Sequence, residues 1–177
     1  METILKTMVL LLGTCLTVCL VSHITSHRFE MLRNQKTTME GDTSEVVTKQ
    51  LDCLAMNVYK EAGTEPFEGK VAVAQVTINR ANDSSHRFGN KICDVVYQKS
   101  TFMGYIVCQF SWHCENAKVP INNEMYKESY AVAKKVYLEG FRLEDLNTAL
   151  YYHADYINPN WHLKKIASIG HHVFYEG

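Results

Sequence analysis

The stretch YKEAGTEPFEG, residues 59–69, places three carboxylates in close succession: Glu61, Glu65 and Glu68. Glu61 and Glu65 flank a Gly-Thr pair, and a proline follows the second acid. Just upstream, Val47, Leu51, Leu54, Val58 and Ala62 recur at spacings of four, three, four and four. That stripe predicts a helix over residues 46–62, with Glu61 in its last turn. A helix C-terminus carries about half a negative charge, worth ~0.3–1 kcal/mol on a nearby ion, and disfavours a carboxylate. Burial or a neighbouring acid acts in the same sense. A glutamic acid held protonated near neutral pH is the general acid that glycosidic cleavage requires. The plainer reading is a set of solvated glutamates at a loop, since exposed Glu is commonplace.

Two later blocks mix aromatic and polar groups. CQFSWHCE (108–115) contains Gln109, Phe110, Ser111 and Trp112, and ALYYHADYINPNW (149–161) contains Tyr152, His153 and Trp161. Aromatic faces beside amides and hydroxyls suit sugar rings, which have apolar C–H faces and polar rims. These residues, with Asn79 and Glu65, are the candidates for binding substrate or supporting the acid. The competing reading is that the aromatics are core residues. His153, His162, His171 and His172 come late, with no HExxH pair, and Cys108 and Cys114 are not completed by a second cysteine pair. No metal or other cofactor is expected from such spacing. No G-x-S-x-G turn is present. A cysteine nucleophile, Cys108 or Cys114 with His153, remains an alternative of the Cys–His amidase type.

The elements that must position these groups follow from periodicity and punctuation. Ser44 suits the N-cap of the first helix, and Gly63 stands where a left-handed C-cap would sit. Pro66 fits the first turn of a second helix. Val71, Val73, Ala74, Val76 and Ile78 make that helix apolar over a broad face, as a central helix would be, and Asn79-Arg80 closes it. Residues 81–91 read as an exposed loop, 92–97 as a short helix and 108–112 as strand-like. Asn123 is expected to cap a third helix that ends at Gly140. Residues 148–153 and 172–175 read as strands. The sum is a helix-rich α+β domain with a small antiparallel sheet.

A near-neutral balance, net charge -1 over 177 residues, argues against a nucleic-acid binder. A hydrophobic content of 46% supports a real core. The N-terminus differs: no Asp, Glu, Lys or Arg lies between Lys6 and Arg28, and the apolar centre spans residues 8–21. A bilayer core takes ~20 mostly apolar helical residues. Three readings compete: an uncleaved signal anchor, a cleaved signal peptide and a buried soluble helix. The layout is therefore an anchor or signal segment (1–24), a polar linker (25–44) and a domain (45–177). Cys53, Cys93, Cys108 and Cys114 lie in the domain and, in an exported protein, could pair in three ways. In the cytosol they would stay thiols.

The blocks LAMNVYKEAGTEPFEGKVAVAQVTINR, ICDVVYQ, CQFSW, ALYYHA, NPNW and IGHHVFY resemble, in order, the SleB/CwlJ family of cell-wall hydrolases. The resemblance runs from about Leu51 to Tyr175. The family hallmark, roughly Tyr-x-Glu-Ala-Arg-Gly-Glu-Pro-x-x-Gly, is matched by Tyr59, Glu61, Ala62, Glu65, Pro66 and Gly69. Gly63 and Thr64 depart from it. The resemblance implies a lysozyme-like catalytic domain acting on peptidoglycan glycan strands. It implies cleavage of the β-1,4 bond between N-acetylmuramic acid and N-acetylglucosamine by a lytic transglycosylase mechanism, with Glu61 as the catalytic acid. A hydrolytic muramidase would need a second carboxylate, for which Glu65, Asp94 and Glu115 are candidates. A non-catalytic wall-binding protein is the alternative from another class. Peptidoglycan as partner requires export, with the membrane a further partner through the N-terminal segment.

Overall fold

In a computed structural model of the chain, the described residues are 2–85, 87–115 and 121–177; the side chains of 3–21 and 34–42 fall outside the description. The chain divides into two compact units, Met1–Val46 and Val47–Gly177. One helix, α1, runs Glu2–Ala62. The helix was expected to begin near Ser44, after a polar linker; instead residues 25–44 are themselves helical. No proline precedes Pro66, and within residues 25–44 only Gly41 interrupts the run of adequate helix formers. An apolar stripe reports packing against a neighbour, not helicity, so a solvated helix lacks it. Thr25 Oγ1 and Ser26 Oγ donate back to the carbonyls of Ser22 (2.9 Å) and His23 (3.0 Å), as hydroxyls in exposed helices do. Among the described residues no helix is long and apolar enough to cross a membrane. The apolar stretch 8–21, on which the anchor reading rests, lies outside the residues whose side chains are described.

The second unit is built around α2 (Phe67–Ala81). Val71, Ala72, Val73, Ala74 and Val76 are wholly buried, which explains the broad apolar face. On one side α2 meets the stripe of α1 (Leu51, Leu54, Val58), the short helix α3 (Ile92–Val96) and α4 (Asn123–Tyr137). On the other, Ala72 and Val76 pack with Leu146, Ala149 and Phe174 of the sheet side. Two polar side chains inside this core are paired: Asn57 Nδ2 donates to Thr77 Oγ1 (3.1 Å), and Gln75 Nε2 to the Leu143 carbonyl (3.0 Å). The cap of α4 is Asn122, one residue before the expected Asn123. Its side-chain oxygen accepts from the amides of Glu124 and Met125 at 3.1 and 3.2 Å.

Two antiparallel sheets complete the unit. Strands β1 (Lys99–Phe102) and β2 (Tyr105–Cys108) form a hairpin that sequence reading missed. Its two-residue turn, Met103-Gly104, has positive φ at both positions, the demand of a tight hairpin. Methionine at the first of them hides the usual Asn-Gly or Asp-Gly signal. The block expected to be strand-like at 108–112 instead ends β2 and enters a 3-10 turn, Ser111–His113. The second sheet has the order β3-β5-β4, with β3 at Ala149–Ala154, β4 at Lys165–Ile169 and β5 at His172–Glu176. Strand β4 was not anticipated; it is short and mostly lacks large apolar residues.

The four domain cysteines pair as Cys53–Cys93 and Cys108–Cys114, across sequence separations of 40 and 6. Loop closure makes the first link the more stabilising, about 4 kcal/mol against about 2 kcal/mol for the second. Urea titration of Cys53→Ala/Cys93→Ala is therefore expected to show the larger loss. Equal losses from the two double variants would refute that ranking.

Candidate active site

Glu61 sits in the last turn of α1 and is half-buried. Tyr152, on β3, donates its hydroxyl to Glu61 Oε2 at 3.0 Å. Alternation along β3 turns Tyr152 inward, and Tyr152 opposes Phe174 in the register with β5. The ring is held by Phe174 at 5.6 Å and by an edge contact with His172 at 5.2 Å. Burial, then the charge of Glu61, pushes the Tyr152 phenol well above its ordinary value, so it remains a donor.

The Glu61 carboxyl is pushed above the ordinary carboxylate range, first by burial. The Tyr152 hydrogen bond and the Arg80 charge act against that rise, and the Glu115 charge adds to it. The site thus holds a carboxyl whose protonated form burial favours, with a phenol hydroxyl on one of its oxygens. The expected direction holds, but removal from water outranks the other causes.

Gly63 is not a left-handed cap: among the described glycines, Gly104, Gly140 and Gly170 have positive φ. A Cβ at position 63 would lie 2.5 Å from the Tyr59 carbonyl oxygen and 3.1 Å from Met125 Cε. The chain thus leaves α1 at Gly63 with little room for a Cβ.

Glu65 is bonded to a different part of the fold. It is 8% exposed, and its Oε2 accepts the His171 backbone amide at 2.9 Å. Oε1 lies 3.3 Å from His171 Nδ1. The turn between β4 and β5 is thereby pinned to the junction of α1 and α2. A Cβ on Gly170 would overlap Glu65 Oε2, and one on Gly69 would lie 2.9 Å from Glu65 Cβ. The hallmark Glu65 and Gly69 are thus one packing unit. A groove lined by Glu65, Phe67, Lys70, Glu128 and Val132 lies between α2 and α4 and does not include Glu61.

The remaining candidates divide. Phe110 is buried under the Arg80 guanidinium, 5.4 Å from its ring. Trp112 is a packing residue: its Nε1 donates to Asn57 Oδ1 at 3.1 Å. Asn79 donates to the Leu146 and Ala149 carbonyls at 2.8 and 2.9 Å, so it shapes the approach to β3. Gln109 is half-buried and Ser111 exposed at the 3-10 turn. His153 and Trp161 do not join Glu61. His153 follows Tyr152 on β3 and so points to the opposite face. There it stacks on Tyr175 at 5.3 Å, hydrogen-bonds the Tyr175 hydroxyl at 2.8 Å and meets Trp161 at 5.5 Å. Cys108 and Cys114 are joined to each other, so neither offers a thiol and the Cys–His amidase reading falls. Arg80, overlooked as a site residue, is 4% exposed. An arginine ending an otherwise apolar helix was its signal.

Fold and site together define a helix-rich α+β domain with a half-buried, tyrosine-bonded glutamic acid. A family model described as Cell Wall Hydrolase matches residues 64–175, more than half of the chain. The chain belongs to the cell wall hydrolase family. Glu61 itself lies three residues before the matched segment. Spore cortex-lytic enzymes of Bacillus subtilis and Bacillus cereus are each 28% identical, over 130 and 132 residues, or 70% of this chain. The chain spans only 36% and 43% of those relatives. The catalytic domain of the Bacillus cereus SleB protein has a similar fold, with TM-score 0.51, 24% identity and coverage of 73% of this chain and 91% of that one. The catalytic domain of the germination-specific lytic transglycosylase SleB from Bacillus anthracis gives TM-score 0.50, 26% identity and coverage of 72% and 93%.

Proposed function

We propose that this protein degrades peptidoglycan, cleaving the β-1,4 bond between N-acetylmuramic acid and N-acetylglucosamine as a lytic transglycosylase with Glu61 as general acid and then base. The carrying observation is the half-buried Glu61 carboxyl, raised by burial and hydrogen-bonded by Tyr152, in a member of the cell wall hydrolase family. Glu61 gives its proton to the glycosidic oxygen as the bond to C1 of the muramyl sugar breaks. The resulting carboxylate then takes the proton of the muramyl 6-hydroxyl, whose oxygen closes onto C1. The products are a free N-acetylglucosamine 4-hydroxyl and a 1,6-anhydro muramyl end, and Glu61 is protonated again.

A hydrolytic route would need a second carboxylate near the acid. Glu65 is committed to the β4–β5 turn, which supports the single-acid route. Asp94 is exposed on α3, whereas the charge of Glu115 does act on Glu61, so Glu115 is the partner a muramidase reading would use. Mass spectrometry of digested peptidoglycan separates the routes. Anhydro ends are expected; hydrated reducing ends throughout would overturn the transglycosylase step. Release of peptides without glycan fragments would overturn glycosidic cleavage itself. The activity requires export, which the apolar stretch 8–21 and two disulfides support.

A further inference from the structure

Among the described residues, Arg80 has a buried polar atom left without a partner. Its Nε donates to the Leu150 carbonyl at 2.7 Å, which fixes the guanidinium plane. Three rings flank it: Phe88 at 5.1 Å, Phe110 at 5.4 Å and Tyr152 at 5.8 Å. Its Nη1 is buried without a hydrogen-bond partner among the described residues. An orphaned donor of a charged group in a packed interior is costly, and the caging rings keep it from swinging out to water. Beside it, on the same Tyr152, stands Glu61.

We propose that Arg80 is the positioning residue of this site, its charge acting across Tyr152 in favour of the Glu61 carboxylate that forms when the acid has given up its proton. The proposal rests on the reading of Glu61 as the acid and goes beyond it by assigning the group that makes the acid strong enough. Burial alone would hold the proton on Glu61 and slow its transfer. A buried guanidinium with a free N–H offsets that, because its attraction exists only for the ionised form. It needs no second carboxylate. The groups whose charge or hydrogen bond reaches Glu61 are Tyr152 from β3, Arg80 from α2 and Glu115 beyond the 3-10 turn. Tyr152 and Arg80 favour the carboxylate and Glu115 opposes it.

The test is the pH profile of sacculus lysis by the full chain. A general acid works while protonated, so activity falls on the alkaline side as Glu61 ionises. Removing the Arg80 charge raises the pH at which that happens. Arg80→Gln, which keeps an amide donor for the Leu150 carbonyl, is expected to lower kcat ~10–100-fold and to move the alkaline limb to higher pH. Arg80→Lys, which keeps the charge, is expected to leave the limb near the native position. A merely structural arginine would lower the amount of folded enzyme without moving the limb. An unmoved limb in folded Arg80→Gln therefore overturns the proposal. Where Arg80→Gln fails to fold, the native chain with 15N-labelled arginine supplies the answer. The Arg80 guanidinium resonance should then shift with pH in step with the lytic limb, and should lose that shift in Glu61→Gln. A resonance indifferent to pH would overturn it as well. Failure of the underlying reading looks different: Glu61→Gln would itself remain lytic.

Discussion

Glu61→Gln is expected to abolish lysis of purified sacculi, by ~10³-fold or more, with an unchanged circular-dichroism spectrum and a thermal midpoint close to native. General-acid catalysis contributes typically ~10²–10⁴-fold, and here the same group is also assigned the return proton transfer. Glutamine keeps the shape and an oxygen that can accept from the Tyr152 hydroxyl, whose partner distance is 3.0 Å in the native site. The packing around Tyr152, Phe174 and His172 is therefore left intact. What disappears is the transferable proton. Because Glu61 has its proton-binding affinity raised by burial, the native enzyme is expected to lose activity toward alkaline pH; the variant has no such limb to lose. Residual lysis within tenfold of native would place the acid elsewhere.

Glu65 is the second acid of the same hallmark, and the expected results for it are opposite in kind. Glu65→Ala removes the acceptor of the His171 amide and opens space beside Gly69 and Gly170. A hydrogen bond to a charged group is worth ~1.5–3 kcal/mol, so a loss of roughly 2–3 kcal/mol in urea unfolding is expected, with lysis reduced through misplacement of β4 and β5. Glu65→Gln retains an acceptor for the amide. It loses the attraction of its charge for His171, whose side chain is 77% exposed, and for His172; with His171 open to solvent that pair contributes ~0–1 kcal/mol. Its lysis rate is expected to stay within a few-fold of native. A folded Glu65→Gln that cannot lyse would put this carboxylate on the reacting atoms and restore the two-carboxylate route.

The contrast between these two glutamates shows where sequence reading reaches and where it stops. Both were visible as acids at a helix break, and the stripe Leu51, Leu54, Val58, Ala62 did bury as its spacing required. The apolar breadth of α2 correctly marked a central helix. The start of α1 was misread because a solvated helical stretch lacks the apolar periodicity on which the reading depends. The hairpin at residues 99–108 was missed because both its strands are exposed, apart from a partly covered Cys108. An alternation of buried and exposed positions had nothing to report.

Local sequence determined the helix that ends at Ala62, the acid in its last turn and the aromatic content of β3. Those are properties of neighbours in the chain, set by periodicity, capping and propensity. How differently the two acids are bonded was decided only by the tertiary structure. Tyr152 reaches Glu61 across 91 positions, and the His171 amide reaches Glu65 across 106. The same alternation that turns Tyr152 toward the acid turns His153 to the other face of the sheet. Arg80 meets the Tyr152 ring from α2 for the same reason. Burial, the first cause of the raised Glu61 carboxyl, depends on what the rest of the chain packs over that side chain.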